Sequence, residues 1–293
     1  MTESPILCIV TFSASNKCHK ISQSSYHAML LRNTKKHVEE LIHESKILSS
    51  VDHPNIIKIH GRSSIEASQL GSNRSAQPFF LVLDRLTYTL EDLLKVWVPK
   101  KNNDNTLKFQ SFKYLVSLRQ RLKIAFNIAT AMNHLHKKNI MHRDLKPGNI
   151  GFDSQGKLKL FDFGYAIKLL QNDHLPDGTY KMEGGIGTCR YMAPEVARYY
   201  SYNELADVYS FGILMWQILT IEKPYKNLSC DEWFQQVVIE GKWPHSIGFL
   251  LTKLQYLLKC CWSEDIKERH FGKEVLTILF DEFFSKVLRK FRQ

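Results

Sequence analysis

No glycine precedes Gly61, although the chain holds 14 in 293 residues. A glycine-lined loop near the start is thereby excluded. The small residues Ser13, Ala14 and Ser15 do not replace one, because only glycine moves freely into left-handed backbone angles. Metal-type cysteine spacing is also missing. The six cysteines stand at 8, 18, 189, 230, 260 and 261, with no CxxC pair and no zinc spacing. Scattered thiols of this kind suit a reducing compartment, so free cysteines and an intracellular, cytoplasmic protein are expected. No apolar run is long enough to span a membrane. The run Pro5–Val10 is short and lacks the preceding basic residues of a signal peptide. Internal repeats and low-complexity tracts are absent as well. Acidic residues are in deficit, 29 against 40 basic, for a formal charge of +11. That excess suits a solvated basic surface, or attraction to acidic protein segments, nucleic acid or membrane surfaces. No basic run is dense enough to be a specific nucleic-acid motif.

What is present is a globular composition, 44% apolar and 24% charged, with length for one large or two modest cores. The chemistry concentrates between Ile140 and Gly164. His142-Arg143-Asp144 is followed by Lys146 and Asn149, and then by Asp162-Phe163-Gly164. A carboxylate such as Asp144 can orient a hydroxyl and accept its proton. An ammonium such as Lys146 can offset negative charge that develops beside it. Asp162 and Asn149 offer oxygen ligands of the kind that hard magnesium ions prefer. Short strands at Ile150–Phe152 and Leu158–Phe161, joined by a turn at Asp153–Gly156, are suited to hold these loops.

Helical period marks Val38–Leu48, ended at Pro54, and Leu118–His136, which leads into the His142 loop. Phe79–Asp84 reads as a buried strand and Leu90–Val96 as a short helix. Ala206–Leu219 is apolar on nearly every side, as a buried helix must be. Lys273–Arg292 is amphipathic. Polar stretches over Gly61–Gln77 and Pro99–Lys113 read as surface loops.

Taken jointly and in order, these motifs resemble those of the eukaryotic protein kinases, from about His43 to Phe284. The His-Arg-Asp-Leu-Lys-Pro wording is that of serine/threonine kinases. Cys261-Trp262 and the Asp207–Gly212 wording lean toward the tyrosine-kinase-like branch. The resemblance implies an α+β, two-lobed fold, with a small mainly β lobe over 1–84 and a larger mainly α lobe over 85–293. It implies ATP and Mg2+ as cofactors and serine or threonine hydroxyls of a protein as substrate, in intracellular signalling. Catalytic roles fall on Asp144 as base, Lys146 at the γ-phosphate, and Asn149 and Asp162 at the metal. Glu44 takes the position of the helix glutamate that pairs with a strand lysine. Leu83 borders the adenine pocket, and the backbone of Asp84–Leu86 bonds the base. Arg143 pairs with a phosphate on Thr179 or Tyr180 in the activation segment. Thr188 bonds the catalytic Asp and Lys, Asp207 braces the catalytic loop, and Glu195 forms a buried ion pair with Arg269.

Two departures stand out. Tyr26–Leu31 aligns with the strand that carries the family's lysine, and Leu30 stands in its place. Lys20, Lys35 and Lys36 are nearby, but none restores the pattern. Ile266 and His270 replace two late prolines. The missing lysine and glycines support an alternative, a pseudokinase acting as a binding or scaffold module. Another is that residues 1–42 are not the natural start.

Overall fold

The computed structural model describes residues 8–10, 35–63, 80–98, 118–244, 252–269 and 271–290. The polar stretch Ser13–Lys20, the strand at Tyr26–Leu31 with Leu30, most of the two surface loops, and His270 lie outside them. The described chain forms two compact units, 1–87 with 151–164 and 88–150 with 165–293.

The first unit is built on one helix and short strands. Helix α1, Lys35–Ser49, buries Leu41, Glu44, Ser45 and Leu48, which recur at three and four residues and so share a face. It ends just ahead of Pro54, which cannot continue a helical hydrogen-bond ladder. Strands β1 (Cys8–Val10), β2 (Ile59–Arg62) and β3 (Leu81–Leu83) form an antiparallel sheet with β3 in the centre. Leu81 and Leu83 are buried, and Val82 between them is half-buried, as strand alternation requires. The β2–β3 register shifts between Ile59 and Gly61, a bulge.

Sequence alone suggested a single division after Asp84. The structure instead returns 151–164 to the first unit, for a visible reason. Strand β7, Leu158–Leu160, is stitched to the segment after α1. Asn55 Nδ2 donates to the Leu158 carbonyl at 3.0 Å, Leu160 N–H to Asn55 O at 2.8 Å, and Ile57 N–H to Leu160 O at 2.9 Å.

The second unit is mainly helical. After strand β4, Tyr88–Thr89, helix α2 (Leu90–Trp97) starts from a capping box. Thr89 accepts from the Asp92 N–H, and Asp92 accepts from Thr89 N–H. Helix α3, Leu118–His136, has the bounds that its apolar period predicts. Helix α4 is the short turn Pro194–Ala197, and α5 runs Leu205–Thr220 with every residue from Ala206 onward buried. The π-helix Phe234–Ile239 continues α6, Cys230–Trp233. Helices α7 (Thr252–Cys261) and α8 (Lys273–Lys290) complete the unit, with α3 packed on α5 and α8, and α5 on α7. Among the described residues no helix is long and apolar enough to cross a membrane.

The expectation of free cysteines is corrected here. Cys189 and Cys230 form a disulfide across 41 residues, with Cα atoms 6.3 Å apart. Sequence spacing could not show it, because the folding of α4 through α6 brings the two together. Cys260 and Cys261 are free thiols.

Candidate active site

The His142 loop is held at both ends by backbone pairing. Strand β5, Ile140–Met141, pairs antiparallel with β8, Ile167–Lys168. Within the loop Arg143 has a positive φ of 64°, sparsely populated for a residue with a side chain. Asp207 over-determines that conformation from the first turn of α5. Its carboxylate accepts from the N–H groups of His142 and Arg143, each at 2.8 Å, and meets His136 Nε2 at 3.2 Å. Burial by itself raises the Asp207 pKa. The hydrogen bond and charge of His136, the His142 ring and the His142 N–H outweigh it, so the carboxyl is held below its usual range. The Asp207 carboxylate is thus tied to the backbone of two loop residues.

Asp144 is 5% exposed and is met by three side-chain donors. Lys146 Nζ lies 2.5 Å from Oδ2, Asn149 Nδ2 lies 3.0 Å from the same oxygen, and the Thr188 hydroxyl donates to Oδ1 at 2.7 Å. Thr188 also accepts from Lys146 at 3.2 Å. Asn149 opens into β6, Ile150–Phe152, from a tight turn at Pro147–Asn149, and its amide nitrogen also reaches the Asp144 carbonyl at 2.9 Å. The nitrogen is thus committed to Asp144, and the amide oxygen is the atom left to serve a cation. Gly187 allows Thr188 to come this close. Its φ is +109°, and a Cβ there would sit 2.5 Å from the Arg143 carbonyl oxygen. The sequence reading passed over Gly187. Its place directly before Thr188 was the available signal.

Arg143 turns to its own unit. Its Nε donates to the Tyr165 carbonyl at 2.6 Å, and Nη1 reaches the Tyr202 hydroxyl at 3.5 Å. Of the two residues offered for modification, Thr179 is 8% exposed and donates its hydroxyl to Asp177 at 2.6 Å. Tyr180 is half-buried, its backbone bonded to Tyr202. The ion pair expected between Glu195 and Arg269 is present, buried and two-pronged, at 2.5 and 2.9 Å.

In the first unit Asp162 has a φ of 65°, the second sparsely populated position in the motif. Glu44, 2% exposed, accepts from the Phe163 N–H at 3.0 Å. Burial pushes its pKa up to about 7; the Phe163 bond opposes the rise and the nearby Asp162 charge adds to it. Leu83 is buried in β3, and the Leu86 side chain packs on Gly151. Asp84 is engaged with Lys159 Nζ and His60 Nε2, each at 2.8 Å. Those bonds outweigh burial and hold its carboxyl below the usual range. The sequence reading missed the Lys159–Asp84–His60 group, because two of its members lie on separate strands, β7 and β2, and Asp84 just past the end of a third, β3.

Among the described residues no group of three or more His, Cys, Asp or Glu could hold a metal ion.

A family profile described as protein tyrosine and serine/threonine kinase matches residues 26–279. The dual specificity protein kinase shkD of Dictyostelium discoideum is 33% identical over 80% of this chain and 28% of its own length. The serine/threonine-protein kinase STY17 of Arabidopsis thaliana is 35% identical over 57% of this chain and 28% of its own. The serine/threonine/tyrosine-protein kinase HT1 of the same plant is 27% identical over 82% and 54%. The chain thus spans about a quarter of the length of the first two and about half of the third.

Proposed function

Since this chain belongs to the protein tyrosine and serine/threonine kinase family, we propose that it transfers the γ-phosphate of ATP to serine and threonine hydroxyls of proteins. The observation that carries the reading is the buried Asp144 carboxylate, met by Lys146, Asn149 and Thr188. Phosphoryl transfer asks mainly for position and charge. Asp144 orients the acceptor hydroxyl and takes its proton. Lys146, bonded to both Asp144 and Thr188, supplies positive charge beside the transferred group. Thr188 fixes Asp144 Oδ1 and closes the acceptor side. The Asn149 amide oxygen and the Asp162 carboxylate would each offer an oxygen ligand to Mg2+, which when bound would offset phosphate charge. Leu83 and the backbone of Asp84–Leu86 are assigned to the adenine. Tyr180, the less buried of the two candidates, is the better modification site, with Arg143 assigned to its phosphate. The proposed compartment is the cytoplasm.

The test is transfer from labelled Mg-ATP to the chain itself and to a generic basic protein, with Asp144→Asn alongside. Transfer by the parent and a loss of about 10³-fold or more in the variant, at unchanged thermal midpoint, is the expected result. Equal transfer by both would remove Asp144 from its role. A folded parent without transfer would point to a binding module instead.

A further inference from the structure

Cys189 directly follows Thr188, the residue that holds Asp144 Oδ1, and its sulfur is bonded to Cys230 at the start of α6. Other contacts bring these backbones together without help from the sulfurs. Arg190 donates to the carbonyls of Pro224 and Leu228 at 3.1 and 3.0 Å, and to that of Tyr225. Cys189 and Met192 pack on the buried cluster of Ala197, Trp233, Val237 and Val238. Two thiols at these positions therefore remain neighbours when reduced. Cys230 is exposed and Cys189 half-buried, so solvent reaches the pair. Cys261 is the contrast: it is buried, and burial pushes its thiol up, which makes it inert.

We propose that Cys189 and Cys230 form a reversible oxidation site, closed by a peroxide and opened by a dithiol, that pins the Thr188 segment to α6 and thereby tunes phosphorylation of protein substrates. Only the last clause rests on the kinase reading. In the first step the Cys230 thiolate attacks one peroxide oxygen. The O–O bond breaks, an S–OH group forms, and the other oxygen leaves as water after taking a proton. In the second step the Cys189 sulfur attacks the Cys230 sulfur. The S–S bond forms, the S–O bond breaks, and the hydroxyl takes the Cys189 proton and leaves as a second water. The two sulfurs lose two electrons and the peroxide gains them. The oxidised segment is ordered before a substrate arrives, so less ordering remains to be done on binding.

The full chain is reduced with dithiothreitol, freed of it, and treated with one equivalent of hydrogen peroxide. Free thiols are alkylated and peptides read by mass spectrometry. The expected result is a Cys189–Cys230 linked peptide, reversed by dithiothreitol, at a dose that leaves Cys261 reduced. Absence of that peptide, failure of dithiothreitol to open it, or equal oxidation of Cys261 would overturn the proposal. Amide exchange over residues 184–199 is then compared between the two forms and in Cys230→Ser. Slower exchange in the oxidised parent alone supports the pinning, and equal exchange in both forms overturns it. Where transfer is present, the KM for protein substrate should rise about threefold or more on reduction, with the KM for ATP unchanged. The Cys230→Ser variant should match the reduced parent under both conditions. A KM that does not respond to redox state overturns the tuning, while transfer itself still supports the kinase reading. A pair that cycles and alters exchange in a chain without transfer supports the site and overturns the kinase reading instead.

Discussion

Glu44 carries a buried carboxyl that accepts a hydrogen bond from the backbone N–H of Phe163. An unfolded glutamate loses its proton near 4.5, and this one keeps it to about 7 in the fold. The unfolded chain therefore releases the proton first as pH rises. The stability contributed by the neutral, buried form is complete below pH 4.5 and is lost as pH climbs through about 7. That interval corresponds to about 3 kcal/mol. Glutamine keeps an oxygen for Phe163 and cannot ionise. Denaturant midpoints of Glu44→Gln should accordingly stay flat between pH 5 and 7.5 where the parent falls, and exceed the parent at the upper end. Gly187 is the second informative residue. Alanine there meets the Arg143 carbonyl and is forced to hold a φ of +109°. Strain of this kind is worth about 1–3 kcal/mol. If it is relieved by displacing Thr188 from Asp144, transfer by Gly187→Ala should fall roughly tenfold or more. A rate equal to the parent's would show that Thr188 stays in place.

At the scale of elements, close packing of α5 decides how the helical unit closes. Gly212 lies where a Cβ would come within 2.7 Å of the Cys261 Cβ on α7. Two opposed effects act in Gly212→Ala. Helix propensity favours alanine by about 1 kcal/mol. The overpacking costs about 1–3 kcal/mol, and the Cys261 Cβ is not the flexible end of a side chain that could move away cheaply. The second effect should win, and a thermal midpoint lowered by several degrees is expected; an unchanged or raised midpoint would mean that the two helices separate without cost. The Glu195–Arg269 pair joins α4 to the segment after α7 by the same logic of burial. Arg269 also donates to the carbonyls of Ser263 and Leu205 and lies over the Tyr209 ring, so its charge is satisfied on several sides.

At the scale of the molecule, the net charge of +11 acts on association rather than on fold. An acidic protein substrate should be drawn in at low ionic strength. Its KM should rise severalfold between about 50 and about 200 mM salt, as screening shortens the reach of surface charge. A neutral peptide serves as the control. Equal salt dependence for both would assign the effect to something other than the surface field.

Much of the candidate site was legible because its chemistry is local in the chain. Asp144, Lys146 and Asn149 fall within six residues, and Thr188, Glu195, Asp207 and Arg269 stand in wording that a resemblance carries over. Helices were legible where apolar period is long, as in α3, whose bounds were read without error. Strand ends were less so, since Leu158–Phe161 closes one residue early and, among the described residues 80–84, only Leu81–Leu83 is strand. Sequence by itself therefore determined the helical framework and the nearness of Asp144, Lys146 and Asn149, because spacing over a few residues fixes both; Thr188 and Asp207 reach that loop across 44 and 65 residues. Tertiary structure alone decided that Glu44 meets Phe163 across 119 residues, that the 151–164 segment joins the first unit, and that Cys189 meets Cys230. Those outcomes depend on which buried surfaces bring distant segments together, and no local spacing encodes that.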